Sequence, residues 1–270
     1  MPSAFIITTD ARVLTQDARP FVLQLSNEKL AALPAQAVLP LPSHHLGAPD
    51  YAIDSQCLVD NGLLQTASTD EFVYRGITLH ALAYRTLLQY LDTSSAHALS
   101  YALQLANFRQ TELFCRCCGT AHMHTQGYSK HCHHCGQHSY PPVAPCVIVA
   151  ICRVVNQQKQ LLLARHHRHK TPMFGLIAGF VEIGESMEQA VCREVYEETR
   201  LQVDNICYVT SQPYPYPSNL MLGFTANYAG GQLQIDECEL VEAAFFTADN
   251  LPNIPPKGTI AHRLIQQVLA

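Results

Sequence analysis

The 270-residue sequence has no run of eighteen apolar residues. That leaves no segment able to cross a membrane as a helix. The opening MPSAFIITTDARVL has no basic stretch and carries Asp10, so no signal peptide is expected. The terminal Val-Leu-Ala is not a peroxisomal tripeptide. No internal repeat or low-complexity tract is present. Basic charge is not in excess: 17 Lys and Arg stand against 22 Asp and Glu, a net charge of −5. This argues against nonspecific nucleic-acid binding, which relies on clustered Lys and Arg. An acidic chain acting on an anionic substrate would need bound cations to offset repulsion. The eleven cysteines are odd in number and partly clustered. They suit a metal site in a reducing cytoplasm better than a disulfide scaffold. The length allows two domains, and 48% hydrophobic content is ordinary for a globular chain.

Residues 179–201, GFVEIGESMEQAVCREVYEETRL, carry the most information. Ser186 with Gln189 three residues later reads as a helix N-cap pair. Met187, Val191 and Val195 recur every four residues and form an apolar stripe. At about 100° per residue, Glu198 falls on that stripe, Glu194 at its edge and Glu197 beside Glu194. Carboxylates facing a core cost several kcal/mol unless compensated. Hard divalent cations such as Mg²⁺ or Mn²⁺ provide that compensation. A solvated acidic helix face is the alternative, disfavoured by the apolar register of Glu198. Arg193 reads as a brace for the acidic face rather than a substrate contact.

The segment resembles the Nudix box: Gly179, five residues, Glu185, seven residues, then Arg193-Glu194-Val195-Tyr196-Glu197-Glu198. The family cleaves nucleoside diphosphates linked to another group, by attack of water on a pyrophosphate. One position departs, because the glycine expected two residues after the glutamate pair is Arg200. A glycine there suits a left-handed C-terminal cap. A somewhat different helix exit is therefore expected at Arg200.

A second constellation lies upstream. Cys115-Arg-Cys117-Cys118-Gly and Cys132-His-His-Cys135-Gly are two knuckles thirteen residues apart. Two such knuckles close a tetrahedral Cys₄ zinc site. Cys115, Cys118, Cys132 and Cys135 are the expected ligands of one structural zinc per chain, with Cys117 a spare thiol. His122, His124, His131, His133, His134 and His138 are the competing ligands. Gly119 and Gly136 follow the knuckles where a tight turn is needed.

The expected architecture is α/β (α+β): a Nudix α/β/α sandwich preceded by a zinc ribbon and an N-terminal α+β domain. The expected boundaries are 1–110 for the N-terminal domain, 111–139 for the ribbon and 140–270 for the Nudix domain. In the first, Phe5–Thr8 and Phe21–Leu25 suggest strands, and Leu79–Leu91 and Ala96–Phe108 suggest helices. In the last, Cys146–Ile151 and Gln160–Ala164 read as strands. Leu220–Tyr228 and Gln232–Ile235 read as a hairpin about Gly230-Gly231, and Gly258–Ala270 as a closing helix.

A third motif addresses the substrate. Ser211-Gln212-Pro213-Tyr214-Pro215-Tyr216-Pro217 resembles the SQPWPFP array of NADH pyrophosphatases within the Nudix family. Tyr214 and Tyr216 stand where that array has Trp and Phe, and Asn219 where it commonly ends in Ser. Alternating prolines would hold a rigid extended loop, and aromatic rings on it can contact a planar base. An ordinary proline-rich turn with exposed tyrosines is the plainer reading of the array alone. The order N-terminal domain, Cys₄ ribbon, box and array also resembles this subfamily.

That resemblance implies hydrolysis of NADH or NAD⁺ to nicotinamide mononucleotide and AMP, removal of an NAD cap from RNA 5′ ends, and a homodimer. It implies more than one Mg²⁺ or Mn²⁺ per site, held by Glu194, Glu198, Glu239 and the carbonyl of Ala178. Glu237 is the local competitor of Glu239. Glu197 and Glu198 are the candidate proton acceptors. Phe180 and Tyr140 would line or stack on a base, the run Gln212, Pro213, Tyr214, Pro215, Tyr216, Pro217, Ser218, Asn219 would enclose substrate, and Ala261 would touch it. Arg85 is a candidate substrate contact, equally readable as a surface arginine. Two alternatives stay open: a Nudix hydrolase of another dinucleotide such as ADP-ribose, or a zinc-ribbon nucleotide-binding module without turnover.

Overall fold

The computed structural model describes residues 1–42, 48–121, 124–126, 128–167 and 172–269, without the side chains at positions 36, 124 and 126. The chain forms two units: 1–142 with 215–218, and 143–214 with 219–270.

The first unit is built on a mixed sheet. Its strands run Val38–Pro40, Tyr51–Asp54, Ser3–Ile7, Arg12–Gln16, Ile77–Ala83, Glu71–Tyr74 and Gln65–Thr66 across the sheet. Strand parity sorts the two faces. Phe5, Ile7 and Val13 pack with the helix Thr93–Thr111 through Ala98, Leu99, Ala102 and Leu103. Ala4, Ile6 and Leu14 point the other way, among Leu58, Leu64 and Leu79. Asp92 caps the long helix by accepting from the Ser95 N–H at 2.9 Å.

The helix expected over Leu79–Leu91 is corrected. Ile77–Ala83 is a strand, and only Tyr84–Leu87 and a short turn beyond it are helical. The reason is a period of two: Leu79 and Ala81 are buried while Thr78 and His80 are exposed. The expected helix Ala96–Phe108 lies within Thr93–Thr111. The same unit carries a three-stranded sheet of His124–Gln126, Ser129–His131 and His138–Ser139, flanked by the two cysteine knuckles.

The second unit is a six-stranded mixed sheet between two helices. The strand Ala144–Val155 is central. It pairs in parallel with Asn219–Gly230, antiparallel with Gln158–His166 at its far end, and antiparallel with Ile177–Phe180 at its near end. Gln202–Tyr214 and Leu240–Phe246 are the outer strands. Alternation again divides the faces. Val147, Val149 and Ile151 pack on the box helix Met187–Thr199 through Val191 and Val195. Ile148 and Ala150 pack on the final helix Ile260–Leu269 through Ile260, Leu264 and Ile265.

Three local expectations change here. Gln232–Ile235 is not a strand. It runs past the end of the box helix, where Gln234 N–H donates to the Thr199 carbonyl and Asp236 N–H to the Glu198 carbonyl. The helix's last carbonyls, which have no intrahelical partner, thus capture this segment. The hairpin partner of Asn219–Gly230 is instead Gln202–Tyr214. Secondly, Arg200 does adopt the left-handed conformation, with φ 59°. Its N–H donates to the Tyr196 carbonyl, so the C-terminal cap is made despite the side chain, at a cost of about 1 kcal/mol. Thirdly, the proline-aromatic array is only half a loop: Ser211–Tyr214 lies in the outer strand, and 215–218 form the turn.

Candidate active site

The box helix begins as its sequence predicts. The Ser186 hydroxyl accepts from Gln189 N–H, and the Gln189 side chain accepts from Ser186 N–H. Val191, Val195 and Glu198 share the buried face, and Glu198 is only 3% exposed. Met187 differs from the rest of its stripe and is exposed.

Arg193 organises the carboxylates. Its guanidinium donates to both oxygens of Glu185 at 2.7 and 2.9 Å, to Glu194 at 2.9 Å, to Glu197 at 3.0 Å and to the Phe180 carbonyl at 2.8 Å. Those bonds hold the Glu185 carboxyl below the usual carboxylate range. They also raise Arg193 further above its ordinary value. Glu194 goes the other way. Burial pushes it above the ordinary range, and the charges of Glu197 and Glu239 add to the push against the pull of Arg193.

Gly179 explains the first position of the box. A Cβ built there would lie 1.9 Å from the Glu194 carboxylate carbon. The strand Ile177–Phe180 therefore lets Glu194 lie directly over its backbone at Gly179.

Glu198 and Glu239 converge with a residue the sequence reading did not select, His166. One ligand atom from each lies within 4.8 Å of the others. His166 and Glu198 are both 3% exposed, whereas Glu239 is at the surface. His166 was hidden in a histidine-rich run. Strand parity gave a signal: positions 162, 164 and 166 share one face, and Leu162 and Ala164 face the box helix. The carboxylate of Glu237 is not part of this cluster, though its carbonyl contacts His167. One buried carboxylate, one surface carboxylate and one buried imidazole nitrogen form a donor set that can hold a divalent cation.

The second metal-type cluster is Cys115, Cys118, Cys132 and Cys135. Opposed sulfurs lie 3.6 Å apart in the pairs Cys115–Cys135 and Cys118–Cys132. The knuckles match each other. Gly119 N–H donates to the Cys115 carbonyl and Gly136 N–H to the Cys132 carbonyl, and both glycines have positive φ near 70–80°. Four sulfurs in this arrangement fit Zn²⁺. Cys117 is exposed and outside the cluster; exposed His133, His134 and His138 and half-buried His131 are also outside it. His122 and the side chain of His124 lie outside the described residues.

The remaining sequence-selected residues are dispersed between the two units. In the second unit, Phe180 is 52% exposed. The Gln212 amide is occupied: its oxygen accepts from Ile260 N–H and its nitrogen donates to the Gly258 carbonyl, both at 2.8 Å. That side chain anchors the start of the final helix, on which Ala261 is buried in the core. Pro213 and Tyr214 are half-buried, and Asn219 is buried.

In the first unit, Tyr140 is 57% exposed with its ring 5.9 Å from that of Tyr128. Tyr216 packs against the helix-side core, and its hydroxyl accepts from Tyr84 N–H at 2.9 Å. Ser218 is buried, with its hydroxyl 2.6 Å from the Pro142 carbonyl. Pro215 is buried and Pro217 exposed. Arg85 is half-buried on Tyr84–Leu87.

The NUDIX domain profile matches residues 145–268. The NAD-capped RNA hydrolase NudC of Edwardsiella ictaluri is 50% identical over 169 residues, covering 62% of this chain and 64% of that protein. The protein of the same name from Erwinia tasmaniensis is 44% identical over 188 residues, covering 68% and 70%. Among solved structures, a Nudix hydrolase from Nitrosomonas europaea aligns with TM-score 0.47 at 22% identity, over 58% of this chain and 89% of that one. The chain belongs to the Nudix family, and the relatives it matches carry the name of NAD-capped RNA hydrolases. The matched region spans about two thirds of their length.

Proposed function

We propose that this chain hydrolyses the pyrophosphate of NADH and NAD⁺ to nicotinamide mononucleotide and AMP, and removes the NAD cap from RNA 5′ ends. The observation that carries the reading is the convergence of Glu198 and Glu239, with Glu194 seated over Gly179, in a chain 50% identical over 169 residues to a protein named as an NAD-capped RNA hydrolase.

Glu194, Glu198, Glu239 and the Ala178 carbonyl would hold more than one Mg²⁺ or Mn²⁺. Such ions, when bound, neutralise phosphoryl charge and lower the pKa of water. The protein's part is placement. Arg193 fixes Glu194 and Glu197 relative to Glu185, so the carboxylates need little reorganisation on binding. Glu197, whose carboxylate is 55% exposed, and Glu198, which is enclosed, are the proposed proton acceptors. The exposed ring of Phe180 and that of Tyr140 are proposed to line the nicotinamide or adenine. The backbone of 212–219, Arg85 and Ala261 are proposed substrate contacts. For Gln212 and Tyr216 the side chains also serve the fold.

The Cys₄ cluster would hold one zinc per chain in a structural role, since four thiolates leave no open position. We further propose a homodimer in the cytoplasm, where a reducing milieu keeps the clustered thiols available. Among the described residues no helix is long and apolar enough to cross a membrane.

A substrate panel with Mn²⁺ tests the reading. NADH, NAD⁺ and NAD-capped RNA should turn over ahead of ADP-ribose. A preference for ADP-ribose would reassign the substrate, and nucleotide binding without turnover of any dinucleotide would make the chain a binding module.

A further inference from the structure

We propose that His166 is a nitrogen ligand of the cation site formed with Glu198 and Glu239, and that it biases that site toward Mn²⁺ over Mg²⁺. The inference rests on the reading that the box glutamates bind divalent cations. Three features of the second unit carry it.

The first is position. The Nε2 of His166 lies 3.9 Å from Oε2 of Glu198, and both residues are 3% exposed. This separation exceeds a hydrogen bond. It suits two ligands of one ion, since metal–ligand bonds of about 2.1 Å put neighbouring donor atoms about 3–4 Å apart.

The second is the local backbone. The strand Gln158–His166 pairs regularly with Leu240–Phe246 through Arg165 and Glu242, then the register shifts so that His166 sits opposite Leu240. Such a bulge re-aims side chains and is common beside active sites. Here it brings the end of one strand against the loop that carries Glu239.

The third is the tie that fixes this arrangement. His167 N–H donates to the Glu239 carbonyl at 3.1 Å, and its ring nitrogen lies 3.0 Å from the Glu237 carbonyl. The backbone of Glu239 is thereby held one residue from His166. Glu239 is otherwise an exposed loop carboxylate, so this tie keeps it in reach of the two buried groups.

The chemistry gives the selectivity. Mg²⁺ takes oxygen ligands almost exclusively and gives up its water reluctantly, whereas Mn²⁺, which shares its taste for carboxylates, is a transition ion and accepts an imidazole nitrogen more readily. A neutral imidazole beside two carboxylates adds affinity for Mn²⁺ and little for Mg²⁺.

Pulsed EPR on the zinc-replete protein loaded with Mn²⁺, without nucleotide, tests this. Nitrogen modulation from a coordinated imidazole should appear and should vanish in His166→Gln. Mn²⁺ affinity should fall by about tenfold or more in that variant, while Mg²⁺ affinity changes by less than about threefold. Wild-type protein that binds Mn²⁺ with no nitrogen modulation overturns the assignment, as does a failure to bind Mn²⁺ at all. If His166→Gln does not fold, Glu198→Gln decides. A nitrogen signal undiminished there comes from another histidine and defeats the proposal, whereas its loss supports it. NADH turnover without nitrogen modulation would sink the ligand role alone, and nitrogen modulation without turnover would sink the hydrolase reading alone.

Discussion

Replacing Gly179 with alanine is expected to damage the cation site while leaving the fold nearly intact. The new Cβ would lie 1.9 Å from the Glu194 carboxylate carbon and one oxygen, and 2.2 Å from the other. Carbon atoms in contact need about 3.5 Å, so the carboxylate must retreat by about 1.6 Å. Glu194 can make that retreat, because the clash involves the far end of a flexible side chain. The movement breaks its 2.9 Å bond from Arg193. It also takes the oxygen well beyond the ~0.2 Å tolerance of a metal ligand. Misplacement by about 1 Å can cost roughly 10² in rate. Alanine is compatible with the backbone, since Gly179 does not have positive φ. The expected result is a fall in kcat/KM for NADH of about 10²-fold and weaker Mn²⁺ binding by calorimetry. The thermal midpoint should stay within about 3 °C, equivalent to roughly 1 kcal/mol at this chain length. Turnover and Mn²⁺ affinity near those of the parent would refute the role given to Glu194.

Cys132→Ser removes a fully buried thiol from the four-sulfur cluster. Zinc content by elemental analysis should drop from about one per chain toward zero, with loss of stability before any specific change in chemistry. Glu185→Gln should destabilise the protein near neutral pH. The wild-type carboxyl is lowered by the Arg193 bond, so its contribution is present above the unfolded pKa of about 4.3 and lost as pH falls through the folded value. The difference between the two thermal midpoints should therefore shrink below about pH 4, and a gap that persists there would contradict the ion-pair origin. Arg200→Gly relieves the left-handed strain but gives up the guanidinium contact with the Tyr196 ring at 5.3 Å. Chemical denaturation should show a gain of up to about 1 kcal/mol, and a marked loss would mean that the side chain holds the cap.

The features legible in the sequence were those with a local physical signature. Ser186 and Gln189 announce the box helix through their own hydrogen bonds, and its apolar register places Glu198 in the interior. The two CxxC knuckles announce a cluster because each brings its thiols together within one turn. The readings that failed depended on partners distant in the chain. Gln232–Ile235 looks like half a hairpin until the carbonyls of Thr199 and Glu198 claim the N–H groups of Gln234 and of Asp236 just beyond it. Arg200 looks unsuited to a left-handed cap until the helix end requires one. Tyr216 and Gln212 look like exposed recognition groups, yet one bonds Tyr84 and the other bonds Gly258 and Ile260, 46 and 48 residues away. His166 escaped notice because nothing in its own neighbourhood distinguishes it from His167. Strand parity puts it on the face of Leu162 and Ala164, and the extra residue in the partner strand, between Leu240 and Glu242, brings the Glu239 loop up beside it.

The most direct test of the central claim is product analysis of NADH incubated with Mn²⁺ and either the parent protein or Glu198→Gln. The account predicts reduced nicotinamide mononucleotide and AMP in equal amounts from the parent, and a rate lower by about 10²-fold or more from the folded variant. Equal rates from the two proteins, or release of nicotinamide with an intact pyrophosphate, would contradict it.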